Sequence, residues 1–136
     1  MDRTSIADRL REMLQASTGE LVAAYLFGSV ARGEAHRSSD VDLAVLYRSA
    51  PPSTLEGLGT SLLLQDTLEK GLGRRVDVIA LNTAPADLVQ RVLRDGELLI
   101  DRDPVLRVRF EVRARLAFLD LLLILRLYRR PRSGKS

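Results

Sequence analysis

The apolar positions change period along the chain, and those changes mark out the elements. Ile6, Leu10, Met13 and Leu14 recur at helical spacing, which predicts a first helix over residues 5–17 closed by Gly19. The run LVAAYLF at 21–27 has strand length and is ended by Gly28. SVARGEAHRSS then begins as a short helical turn and passes into a polar loop. DVDLAVLY at 40–47 alternates at its start and becomes wholly apolar, as a buried strand does. Ala50-Pro51-Pro52-Ser53 is a breaker. Ser53 or Thr54 caps a helix running to Gly71, whose inner face the spacing assigns to Leu55, Leu58, Leu62, Leu63 and Leu68. A third strand is expected at 75–81, a helix from Thr83-Ala84-Pro85 through Arg94, a short fourth strand at 97–100 and a last helix over 104–128. The alternation of helices and strands predicts an α/β fold: a small mixed β-sheet flanked by helices, set mainly on one side. Residues 1–104 form the body, 105–128 a C-terminal helix packing on it or serving as a partner interface, and 129–136 a disordered basic tail.

Length and composition narrow the chemistry. A chain of 136 residues suits one domain with a modest core. Cysteine is absent, which excludes disulfides and thiolate metal sites, and the lone His36 cannot build a histidine cage. Any catalytic metal is therefore held by oxygen. The N-terminal stretch has charges on both sides of its apolar residues, unlike a secretory signal, and the apolar runs, 121–125 among them, are far short of the roughly 20 residues of a membrane span. A cytoplasmic protein is expected. The net charge of +3 conceals an asymmetry: residues 1–104 hold 12 Lys/Arg against 16 Asp/Glu, a net of −4, and residues 105–136 hold 9 against 2, a net of +7. With an acidic body and no stacking aromatics, stable nucleic-acid binding is not expected.

The chemistry concentrates in GSVARGEAHRSSDVDL, residues 28–43. Gly28 lets the backbone turn sharply at a strand end and lets a ligand approach closely. Ser29 opens a helical turn, where free N–H groups and a hydroxyl suit a phosphate. Asp40 and Asp42 sit at i and i+2 of a strand and project from one face. Carboxylates held that close repel one another unless a cation lies between them, and Mg²⁺ takes a few carboxylates plus phosphate oxygens. Asp77, within VDVI, is costly in a strand unless paired or metal-bound. If its strand neighbours 40–47, it faces the pair. A lone Gly-Ser is ordinarily a turn, a lone Asp-x-Asp a strand edge, and a lone strand aspartate a guard against edge pairing. Together and in this order they point to a two-metal phosphoryl-transfer site.

The pattern G-S-x10-D-x-D, met by Gly28, Ser29, Asp40 and Asp42, resembles the signature of the polymerase β-type nucleotidyltransferase superfamily. GSVARGEAHRSSDVDLAVL is similar to its small stand-alone members, the minimal nucleotidyltransferase (MNT) proteins, and Asp77 in RVDVIALN matches the third carboxylate. That resemblance implies the antitoxin half of a HEPN/MNT toxin–antitoxin pair, transferring AMP from ATP to a tyrosine of a HEPN ribonuclease toxin. Asp40, Asp42 and Asp77 would then be catalytic and hold two Mg²⁺ ions, with Gly28 and Ser29 binding the nucleotide. The alternatives are a non-catalytic binding antitoxin, or a nucleotidyltransferase acting on RNA or a small molecule. Arg32 is a possible triphosphate contact, His36 and Arg37 read as solvated loop residues, Arg74 and Arg75 as a strand entry, and Tyr25 and Tyr47 as packing. In the last helix Val105, Val108, Val112, Leu116, Leu119 and Leu123 recur at helical intervals, and the expectation is a helix packed on the sheet at its start and bound to a partner at its end.

Overall fold

The computed structural model describes residues 3–17, 19–33, 40–49 and 54–129. The polar loop at 34–39 with His36 and Arg37, the breaker at 50–53 and the basic tail beyond Arg129 lie outside the described residues. The elements run α1 (Arg3–Ala16), β1 (Leu21–Phe27), α2 (Gly28–Ala31), β2 (Val41–Tyr47), α3 (Thr54–Leu72), β3 (Val76–Ala80), a 3₁₀ turn (Leu81–Thr83), α4 (Ala86–Asp95), β4 (Glu97–Asp101) and α5 (Pro104–Arg129). Strand order is β3-β2-β1-β4. The β1–β2 and β1–β4 pairs are antiparallel and β2–β3 is parallel, so the sheet is mixed, as expected.

Alternation along the central strands splits the core in two. Leu26, Leu43 and Val45 point to one face, where Ile6, Leu10 and Leu14 of α1 and Leu68 and Leu72 of α3 cover them. Ala23, Tyr25, Ala44 and Leu46 point to the other, covered by Val89 and Val92 of α4 and by Leu106, Phe110 and Ala114 of α5. Helices mainly on one side was therefore wrong. β1 and β2 are apolar on both faces, and water is kept from both only by a helix layer on each.

Two helices also present faces other than those the periodicity suggested. In α3, Leu68 is buried, but Leu55, Leu58, Leu62 and Leu63 are exposed, at 80%, 55%, 50% and 74%. The inner face is instead Ser61, Leu64, Leu68 and Leu72. That rotation carries Gln65 and Glu69 to the free edge of β3, where Gln65 Oε1 accepts from the Val78 amide at 3.1 Å and Glu69 Oε2 from the Val76 amide at 2.9 Å. In α5 the packed face is Leu106, Phe110 and Ala114, and the valine–leucine stripe faces outward.

α5 is held at its start by polar contacts. The Tyr25 hydroxyl donates to Glu111 Oε2 at 2.6 Å, and Arg107 pairs with Glu111 and Asp101, each at 2.9 Å. Burial, reinforced by the Glu111 carboxylate, pushes the Tyr25 phenol well above its usual pKa. Tyr25 and Tyr47 are both buried strand residues, as read from the sequence.

Candidate active site

β1 ends at Phe27, and Gly28 takes φ 77° to swing the chain into α2. Glycine is required here twice over. The backbone is left-handed, and a Cβ on residue 28 would run into the Asp42 carboxylate. Ser29 lies half-buried in the first turn of α2, whose N-cap Phe27 offers no side-chain hydrogen bond to the leading amides.

The pairing register assembles the acids. Asp42 stands opposite Phe27 on one side and opposite Asp77 on the other. Strand neighbours at one register share a face, so Asp42 and Asp77 lie side by side, roughly 5 Å apart at the backbone. Asp40 immediately precedes β2, which begins at Val41 rather than at residue 40, and stays exposed, with Arg75 Nε 3.9 Å from Oδ1. Burial first, then the charges of Asp77 and Asp40, push the Asp42 pKa above the ordinary carboxylate range, and the Arg32 guanidinium partly offsets this. The structure thus brings Gly28, Asp42, Asp77 and Arg32 together at the ends of three elements, with Asp40 at the rim.

Among the described residues no group of three His, Cys, Asp or Glu side chains is drawn into a ready metal cage. The donor set is nonetheless all oxygen, and Asp42 is destabilised by neighbouring negative charge, the condition a divalent cation relieves. These residues fit a hard ion such as Mg²⁺ that completes its shell with phosphate oxygens and water.

Two contacts had no sequence signal of their own. Arg75 was read as a strand entry, yet it reaches Asp40 because the parallel pairing sets the start of β3 beside the start of β2. Asn82, just past β3, exchanges hydrogen bonds with the Tyr47 backbone, its Oδ1 accepting and its Nδ2 donating at 2.9 Å each, and so extends the ladder beyond the last strand pair. That end of β2 borders a groove of about 660 Å³ lined by Tyr47, Asn82, Val108, Val112 and Arg113, remote from Asp40 and Asp42.

A small mixed sheet that sets a glycine–serine turn against adjacent strand carboxylates has the form of a nucleotidyltransferase domain. The family described as "Polymerase beta, Nucleotidyltransferase" matches residues 8–105, and the chain belongs to it. The chain is 34% identical over 92 residues to protein adenylyltransferase MntA of Shewanella oneidensis, an alignment covering 68% of this chain and 63% of that protein. It is 36% identical over 70 residues to MntA of Thermococcus cleftensis, covering 52% of this chain and 66% of the relative. The chain thus spans just under two thirds of the length of these relatives. Its fold superposes on a chain from the crystal structure of a toxin–antitoxin with AMP-PNP, with TM-score 0.71 at 26% identity, covering 90% of this chain and 93% of that one.

Proposed function

We propose that this chain is a Mg²⁺-dependent protein adenylyltransferase that transfers AMP from ATP to a tyrosine hydroxyl of a cognate HEPN ribonuclease toxin, acting as its antitoxin. The observation that carries this reading is Asp42, set between Asp77 and the Gly28–Ser29 turn. Support comes from the kinship with proteins named protein adenylyltransferase and from a structural neighbour that is a toxin–antitoxin with AMP-PNP. No helix among the described residues is long and apolar enough to cross a membrane, and we place the reaction in the cytoplasm.

Asp40, Asp42 and Asp77 would hold two Mg²⁺ ions, which when bound neutralise the phosphate charge and lower the pKa of the attacking hydroxyl. Gly28 leaves room for the Asp42 carboxylate against the backbone, and the Gly28–Ser29 turn with the leading amides of α2 receives the β- and γ-phosphate oxygens. Asp77 takes the phenolic proton. The tyrosine oxygen forms its bond to the α-phosphorus as the bond to the bridging oxygen breaks, and pyrophosphate leaves. The protein contributes position and charge and forms no covalent bond of its own. An attached nucleotide would oppose RNA at the toxin by charge and bulk.

The test is intact-mass spectrometry of the toxin after incubation with ATP, Mg²⁺ and this protein. Additions in steps of one AMP are expected, and Asp40→Ala with Asp42→Ala should abolish them. Neutralisation without mass change, equal in wild type and double variant, would make this a binding antitoxin instead.

A further inference from the structure

α5 is apolar on two opposite sides. Leu106, Phe110 and Ala114 pack on the sheet. Val105, Val108, Val112, Leu116, Leu119 and Leu123 are each between 47% and 62% exposed. At 3.6 residues per turn the two sets lie on opposite sides of the helix. The outer set is spaced by three and four residues over about five turns, the spacing of a seam between two long helices, and only its start, Val105 to Val112, borders the groove beside Tyr47 and Asn82. A sheet edge could not follow it, whereas a second helix can.

Charge decides between occupants. Arg109 and Arg113 border the stripe on one side and Arg115 and Arg126 on the other, with Asp120 beside it on the helix; Asp103, which lines the same groove as Val105 and Val108, is engaged by Arg48 at 2.9 Å. Arg115 spends part of its charge on Glu111 at 3.8 Å, while no ion pair to another described residue is found for Arg109, Arg113 or Arg126. A second copy laid along this seam would set arginine rows against arginine rows. A helix with acidic flanks would neutralise them.

The stripe also has a direction. Arg107 pairs with Asp101, which faces Ala23 in the ladder, and Glu111 receives the hydroxyl of Tyr25. Contacts therefore advance along β1 toward Phe27 and Gly28 as α5 advances, so a helix seated on α5 is led toward the carboxylate end of the sheet.

We propose that the outer stripe of α5 docks an amphipathic helix of the protein substrate, one with acidic residues flanking its apolar seam. This rests on the reading above that the acceptor is a protein. Docking there would hold the acceptor protein on this chain independently of the nucleotide.

The experiment uses the full chain and the cognate HEPN toxin, measuring toxin affinity, Mg·ATP affinity and AMP transfer in parallel. Val112→Glu with Leu119→Glu should weaken toxin binding at least about tenfold and leave Mg·ATP affinity unchanged. Arg109→Glu with Arg113→Glu alters only exposed arginines and decides the matter if the first variant misfolds. It should bind the toxin more weakly at low salt and with less salt dependence than wild type. Wild-type toxin affinity in both variants, with AMP transfer intact, would overturn the docking surface and leave the proposed activity standing. Stripe-dependent binding without AMP transfer would do the reverse. A wild-type dimer that Val112→Glu with Leu119→Glu dissociates would mean that the stripe joins two copies, and would also overturn the proposal.

Discussion

Replacing Gly28 with alanine separates two consequences of one atom. The backbone there has φ 77°, and the same left-handed conformation occurs at Gly73, with φ 72°. Forcing an L side chain into that region costs about 1–2 kcal/mol, a loss of several degrees in melting temperature for a domain of this size. Both Gly28→Ala and Gly73→Ala should show it. The surroundings differ. A Cβ at Gly73 meets no described atom within 4 Å, whereas one at Gly28 collides with the Asp42 carboxylate. That carboxylate is the end of a half-buried side chain and can swing aside at little cost to stability, but it then leaves the place where it faces Asp77. Misplacing a reacting group by about 1 Å costs on the order of 100-fold in rate. The two variants should therefore melt at similar temperatures, while Gly28→Ala alone loses about two orders of magnitude in the proposed AMP transfer and Gly73→Ala keeps it. Thermal unfolding and mass-resolved transfer to the toxin read the two effects separately. Equal activity in the two variants would refute the argument that Gly28 exists to make room for Asp42.

A raised Asp42 pKa means that the folded protein binds this proton more tightly than the unfolded chain, so stability falls as pH rises from the ordinary carboxylate pKa through the raised folded value. Asp42→Asn should accordingly melt higher than wild type at neutral pH without metal, lose that advantage in acid, and bind Mg·ATP at least roughly 10–100-fold more weakly; a lower melting point with unchanged Mg·ATP affinity would contradict the assignment. Asp103 shows the opposite sign: Oδ1 accepts from the Leu106 amide at 3.1 Å and Oδ2 from Arg48 at 2.9 Å, and these bonds, the amide first, lower its pKa. Its contribution is present above the ordinary aspartate pKa and fades as pH falls through the lowered folded value, so Asp103→Ala should lower the melting temperature at pH 7 and make little difference in strong acid; a deficit independent of pH would remove Asp103 as the ionised cap of α5.

The strands and the acidic motif were legible because both are local. Asp42 and Asp77 announce themselves as charges inside apolar runs, and Gly28-Ser29 as a break after one. What stayed hidden is which way a helix turns. Leu55, Leu58 and Leu62 of α3 and the valine–leucine row of α5 carry a helical period, but period alone does not say whether a face meets the sheet or the solvent. In α3 the decision came from Gln65 and Glu69, drawn to β3 by its unpaired amides, a demand visible only once β3 is known to be an edge. In α5 it came from Arg107 and Glu111, which fix the helix through Asp101 and Tyr25. Arg102 is a still longer-range case: Nη2 donates to the carbonyls of Leu14, Gln15 and Ser17 at 2.8, 3.1 and 2.6 Å, ending a helix more than eighty residues earlier in the chain. No window of sequence contains such a contact.

The side chains laid along the rims of the sheet limit how this protein can assemble. On β3, Gln65 and Glu69 occupy amides that an incoming strand would need. On β4, Arg11 Nε donates to the Leu99 carbonyl at 3.0 Å. A foreign strand would first have to displace these bonds on either rim, so the sheet resists lengthening by strand addition, the usual route from a small sheet to a fibril. Growth by cross-strand templating is disfavoured on both rims, which favours assembly through the helical layers.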